Sequence, residues 1–215
     1  MPCGYFTVQY DGGNIYHTVQ ITVQGGTQCW LQENMRYDNG CSSKTWVNNT
    51  DVGWCGQYPG ASTKEGLLYQ WSAAMNGRTP TTPRGLCPVG WHVPSDEEWY
   101  TLESALATDL CTNTRVGWGQ CSPAAAKMAG NTDFAQWAAG ALASSPVFGD
   151  SKLNLVATGN RFSSNGSFED RGCWGRYRSS SYNAGSVRAL ACTTTQVNRT
   201  GHDTASGFPV RCIKD

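Results

Sequence analysis

No run of eighteen apolar residues occurs in the 215-residue chain, so it encodes no membrane-spanning helix. Charge is scarce: 15% of residues carry one, and 16 Lys and Arg balance 16 Asp and Glu. A net charge of zero steers neither nucleic acid nor an anionic membrane toward the chain, and neither partner is expected. The three histidines, His17, His92 and His202, lie far apart, and no Cys-x-x-Cys pair occurs. A structural zinc site is therefore not expected, and no other metal or cofactor is implied. The first residues, Met1-Pro2-Cys3-Gly4, lack the charged-then-apolar pattern of an export signal, which an exported chain is expected to have carried ahead of them.

What the chain has instead is glycine, cysteine and aromatic surface: 25 Gly, 10 Cys, 9 Trp and 9 Tyr. Low charge with abundant Gly, Ser, Thr and Asn points to a loop-rich, strand-containing fold, and the aromatics exclude a disordered chain. An even number of cysteines spread along the chain reads as disulfides made in an oxidising compartment. An extracellular or cell-surface location is expected.

Thr7-Val8-Gln9-Tyr10 and Ile15 to Val19 flank Asp11-Gly12-Gly13-Asn14, the pattern of a hairpin closed by an Asp-Gly turn. That turn lacks the later ligands of a calcium loop. Gly25-Gly26 leads into a strand at Gln28–Leu31, and residues 39–62 read as a loop excursion around Cys41 and Cys55. Leu67, Leu68, Trp71 and Met75 share one face of a helix predicted over Lys64–Met75, broken by the prolines between Arg78 and Arg84. A second helix is predicted over Ser95–Leu110. Ser95 and Glu98 form a capping box there, and Trp99, Leu102, Leu106 and Leu110 repeat at helical spacing. Capping also accounts for Asp96, Glu97 and Glu98 without a catalytic role. His92 reads as structural. Short helices are predicted around Ala124–Met128 and Phe134–Ala143, and a closing strand over Phe208–Ile213. The fold class is α+β, with two main helices packed on small antiparallel sheets, loop-rich and disulfide-bonded.

Four segments in this order resemble the Fibrobacter succinogenes major paralogous domain. They are Asp11–Val19, Cys29–Met35, Gly66–Trp71 with the run Cys87-Pro-Val-Gly-Trp-His-Val-Pro-Ser-Asp-Glu-Glu-Trp99, and Gly207–Asp215. The resemblance implies a single C-type-lectin-like domain of formylglycine-generating-enzyme type over 1–215. Its scaffold would span 1–158, a variable region 159–206, and a closing strand 207–215. Gly159-Asn160-Arg161, Asn165-Gly-Ser-Phe168, Arg171-Gly172, Ser179-Ser-Ser-Tyr182 and Gly207–Cys212 also resemble the fixed landmarks of variable proteins diversified by retroelements. In those systems adenine-directed mutagenesis turns Asn-type codons into Ser, Thr, Arg, Ala, Gly, Cys, Tyr, His, Asp or Val. Such codons cannot become Lys, Glu, Gln, Met or Trp; residues 172–206 contain no Lys, Glu, Met, Ile, Phe or Pro, and Trp174 and Gln196 are the positions that break that exclusion.

The chemistry of this segment points to binding independently. Core substitutions cost several kcal/mol, so variable side chains must leave the core. Ala189, Ala191 and Thr193 lie two apart and would share one face of a strand, and Trp, Tyr and Arg are favoured interface anchors. The expected contact set is Trp174, Arg176, Arg178, Tyr182, Asn183, Ser186, Ala189, Ala191, Thr193, Arg199, His202 and Asp203, facing a macromolecular partner without catalysis. Trp174 reads equally well as a core residue, and Trp30, Trp71, Trp91 and Trp99 are expected in the core. Three other functions compete. An oxidase of formylglycine-generating type would need reactive Cys173 and Cys192, inside the segment that looks randomised. A calcium-dependent sugar lectin would carry Glu-Pro-Asn or Gln-Pro-Asp and Trp-Asn-Asp triplets, which are absent. A structural surface protein would present an inert C-terminal face.

Ten half-cystines allow about 945 pairings. Locality favours Cys41–Cys55 and Cys111–Cys121, each closing a short polar or Gly-rich loop worth roughly 3 kcal/mol. Cys87–Cys212 would staple the start of the second helix to the last strand, and Cys3–Cys29 would tie down the hairpin. Cys173 and Cys192 then pair with each other, as a brace inside the variable segment.

Overall fold

The computed structural model describes residues 1–76, 84–182 and 185–215. Asp11, Gly12 and Gly13 all take left-handed backbone conformations, which closes the hairpin between β1 (Thr7–Tyr10) and β2 (Asn14–Val23). After β3 (Gly26–Leu31) come β4 (Cys55–Gly56), β5 (Leu68–Tyr69), α1 (Trp71–Met75), β6 (Trp91–His92) and α2 (Asp96–Leu106). The second half holds α3 (Ala124–Met128), β7 (Asn160–Arg161), β8 (Phe168–Glu169), β9 (Trp174–Arg178), β10 (Val187–Ala191), β11 (Asn198–Thr200) and β12 (Ile213–Lys214). One five-stranded sheet has the order β1-β2-β3-β12-β6, so the last strand lies beside the N-terminal hairpin's sheet. A three-stranded antiparallel sheet has the order β11-β10-β9.

The architecture corrects the expected fold class. The chain is mostly β, with a curled half-barrel sheet, and not two main helices packed on small sheets. The helix predicted over Lys64–Met75 survives only as the five residues of α1. Gly66 sits at φ +88°, where a Cβ would lie 2.6 Å from Asn34 Cβ, so the backbone cannot continue as a helix there. Leu68 and Tyr69 then pair with Gly56 and Cys55 as a strand buried on both faces, whose run of apolar residues mimics helical spacing. The prolines expected to break that helix lie outside the described residues. α2 begins where the sequence places it: Ser95 accepts from Glu98 N, and the Glu98 carboxylate returns to Ser95 N at 2.8 Å. It stops at Leu106, leaving Leu110 exposed beyond it. Ala124–Met128 is helical, whereas 134–143 is turn and irregular structure. The closing strand shrinks to Ile213–Lys214, with Phe208 bridging Tyr69 upstream.

Two apolar clusters form the core. Trp30, Trp99, Trp137, Tyr177, Leu190 and Val197 meet around α3, with the Trp30 and Trp99 rings 4.7 Å apart. Tyr16, Leu31, Tyr69, Trp91, Val93 and Val210 gather around the Cys87–Cys212 and Cys41–Cys55 bridges. All ten cysteines are bonded, in the pairs Cys3–Cys29, Cys41–Cys55, Cys87–Cys212, Cys111–Cys121 and Cys173–Cys192. His92 is a structural clamp: Nε2 meets Glu98 Oε1 at 2.7 Å and Nδ1 meets Asp215 Oδ1 at 2.6 Å. Burial disfavours its charge, yet these two carboxylates raise its pKa above the ordinary value.

Candidate functional site

Strand alternation divides the segment 172–206 into two faces. The β9–β10 register sets Ala191 opposite Trp174, Ala189 opposite Arg176 and Val187 opposite Arg178. β11 adds Asn198 beside Ala189 and Thr200 beside Val187. These residues share the face opposite Tyr177 and Leu190, the outward face, on which Trp174, Asn198 and Thr200 are half-buried and the rest are buried. Two alanines thus form a floor with larger side chains on both sides, and β9 runs for about 13 Å from Trp174 to Arg178.

The outward guanidiniums are held rather than free. Arg176 lies 4.2 Å from the Trp174 ring centroid, donates to Asp170 Oδ2 at 2.7 Å and also donates to Asn160 Oδ1. Arg178 is fully buried against the Phe208 ring and donates to the carbonyls of Ser206, Thr204 and Tyr69. Burial pulls its pKa down to about 9, opposed by Asp51 and Asp203, so it stays charged at neutral pH. His202 packs edge-on to Phe208. Burial, then the charges of Arg176 and Arg178, push its pKa down to about 4 and keep it neutral at pH 7.

The inward face carries a buried ionic network. Arg188 Nε donates to Glu103 Oε1 at 2.5 Å, and its Nη2 donates to Asp96 Oδ1 at 2.6 Å. Arg115 takes the other Glu103 oxygen. Arg199 forks onto Asp96, with Nε to Oδ1 at 2.9 Å and Nη2 to Oδ2 at 2.6 Å. Burial pushes the Asp96 carboxyl up, but Arg199 and Arg188 outweigh it and hold the pKa below the usual carboxylate range. Capping alone therefore does not account for Asp96. Gly185 makes room for it, since a Cβ there would fall 2.1 Å from the carboxylate.

The Fibrobacter succinogenes major domain model matches residues 23–214. The chain belongs to the Fibrobacter succinogenes major domain family. No curated protein and no solved structure matches it.

In this Fibrobacter succinogenes major domain, the expected contact residues separate by exposure. Tyr182, at 65% exposure, and Thr193 and Asp203 are open to solvent, and Trp174 and His202 are half-buried. Arg176, Arg178, Ser186, Ala189, Ala191 and Arg199 are buried and offer a partner almost no surface in this conformation. Asn183 lies outside the described residues. Trp71, expected in the core, is half-buried at the rim with its ring edge-on to Tyr182 at 5.1 Å. Trp30, Trp91 and Trp99 are buried as expected. Sequence reasoning missed Trp118, whose ring meets Trp174 edge-on at 5.7 Å. Its signal was a tryptophan between two glycines inside the loop that Cys111–Cys121 closes. Among the described residues, two groups of metal-ligand type come together, Asp38 with Cys41 and Cys55, and Glu103 with Cys111 and Cys121. In both, the sulfurs are spent in a disulfide and are not thiolate ligands.

Proposed function

We propose that this domain is a hypervariable binding protein, displayed outside the cell and diversified by a retroelement. It engages a macromolecular partner through the outward face of the β9–β10–β11 sheet and its rims, without catalysis and without a cofactor. One observation carries the reading. Within 172–206, side chains on which the fold depends (Tyr177, Arg188, Leu190, Arg199) alternate with side chains turned away from both core clusters. The half-buried and exposed positions of such a segment, Trp174, Tyr182, Thr193, Asn198, His202 and Asp203, can change without removing a side chain from either core cluster. Exposed Tyr182 beside Trp71 at one end, and Trp174 with Trp118 at the other, supply aromatic anchors. Five disulfides fit an oxidising, extracellular setting, and no helix among the described residues is long and apolar enough to cross a membrane. The competing oxidase reading requires free thiols at Cys173 and Cys192, and these two are bonded to each other.

The DNA beside the gene tests the diversification. It is expected to hold a near-copy of the stretch encoding 159–206 next to a reverse-transcriptase gene. Mismatches should fall at adenines, in codons for outward and rim positions such as 176, 182, 189, 191, 193 and 198, with codons 175, 177 and 190 unchanged. Flanking DNA with no such copy, or mismatches spread evenly over both faces, would contradict it.

A further inference from the structure

Ala189 and Ala191 are buried although neither core cluster includes them. Gly117 pairs with Arg199 in an antiparallel bridge, with Gly117 N donating to Arg199 O at 2.8 Å, and Gly119 N donates to Gln196 Oε1 at 3.0 Å. The loop closed by Cys111–Cys121 therefore runs along β11 like an extra edge strand. Arg199 points inward, so alternation turns Trp118, one residue past its partner Gly117, to the outward face beside Asn198. From there its indole meets Trp174 of β9, three strands over, across the face that carries Ala189 and Ala191. Trp118 is nevertheless 36% exposed, between the two glycines that fix the loop backbone to β11 and Gln196. Beneath it, among the described residues, Asn198 Oδ1 is buried without a hydrogen-bond partner. A buried acceptor left unpaired costs about 1–3 kcal/mol, and a ligand donor would relieve that cost.

We propose that the Cys111–Cys121 loop is a lid, and that the trough under Trp118 binds a planar aromatic group bearing a hydrogen-bond donor. The trough has Ala189 and Ala191 as its floor, the Trp174 ring as one wall and Asn198 Oδ1 as the acceptor. Trp118 occupies it in the closed state, which defines the size and flatness of what fits. The inference rests on reading the outward face as the contact surface, and it adds the chemistry of one group on the partner. It also makes Trp118, which lies outside the variable segment, an anchor that every version of the face would share.

Free indole is the probe. In Trp118→Ala, indole is expected to bind saturably in the millimolar range and to shift the Ala189 and Ala191 methyl resonances, while the parent chain shows no such shift. 1-Methylindole, which lacks the donor, should bind roughly tenfold more weakly, the worth of one hydrogen bond. Cys111→Ser with Cys121→Ser keeps Trp118 but loosens the lid. That variant should bind indole measurably and leave Trp118 more open to acrylamide quenching, which keeps the test alive if Trp118→Ala folds poorly. Two results would overturn the lid: unmoved alanine methyls in both variants, or indole bound equally by the parent. Neither depends on capture of a macromolecular partner, so failure of that capture with a positive indole result would remove the proposed function and leave the trough standing.

Discussion

Replacing Glu103 with glutamine is expected to lower folding stability by about 3–5 kcal/mol, the range for removing one partner of a buried ion pair. Glu103 is fully buried between Arg115 and Arg188. Arg188 is itself completely buried, and its other partner, Asp96, is shared with Arg199. Two carboxylates thus hold three guanidiniums between α2, the sheet and the 111–121 loop. The substitution leaves a buried surplus of positive charge that no neighbour can neutralise. Urea unfolding checks this, and a loss below about 1 kcal/mol would place the network among exposed pairs of little worth. Adding Arg188→Met to Glu103→Met should recover part of the loss, because an apolar pair of similar volume removes both charges together.

The second large effect concerns Cys87–Cys212. The bridge spans 125 residues and joins the segment before β6 to the segment before β12. By the chain-entropy estimate a loop of that order is worth about 5 kcal/mol, against about 3 kcal/mol for a loop the size of Cys111–Cys121. Converting Cys87 and Cys212 to alanine should therefore shift the unfolding midpoint far more than the same change at Cys111 and Cys121. Equal shifts would show that the denatured chain is already compact enough for loop length not to count.

What could be read from the sequence was what depends on neighbours in the chain. Ser95 with Glu98 announces the start of α2 because both halves of the capping box lie three residues apart. Asp11-Gly12-Gly13 announces the hairpin because those residues tolerate the left-handed backbone the turn needs. The helix over Lys64–Met75 misled because a short strand buried on both faces looks apolar at every spacing, and only the contact of Gly66 with Asn34 and Met35 reveals the break. Arg199 misled for the opposite reason. In a stretch of Ser, Thr and Gly it reads as solvated, while its partner Asp96 lies 103 residues away in the chain. Trp118 escaped notice because its role arises from Gly117 pairing with a strand some eighty residues further on. Of the disulfides, Cys41–Cys55 and Cys111–Cys121 were legible from locality because each closes a short loop on a near neighbour, whereas Cys173–Cys192 followed only as the two cysteines left over.

The most direct test of the outward face as a binding surface compares the parent with Tyr182→Ser/Thr193→Lys/Asp203→Asn on an array of purified bacterial and phage surface proteins. All three positions are exposed, and the amide oxygen of an asparagine at position 203 can keep the bond that Asp203 Oδ1 accepts from Ala205 N. Each change should cost no more than about 0.5 kcal/mol, so the melting temperature should stay within about 6 °C of the parent's. Ligands captured by the parent are expected to be lost by the variant at unchanged fold. Capture of the same ligands by both at equal strength would place the binding surface elsewhere and contradict it.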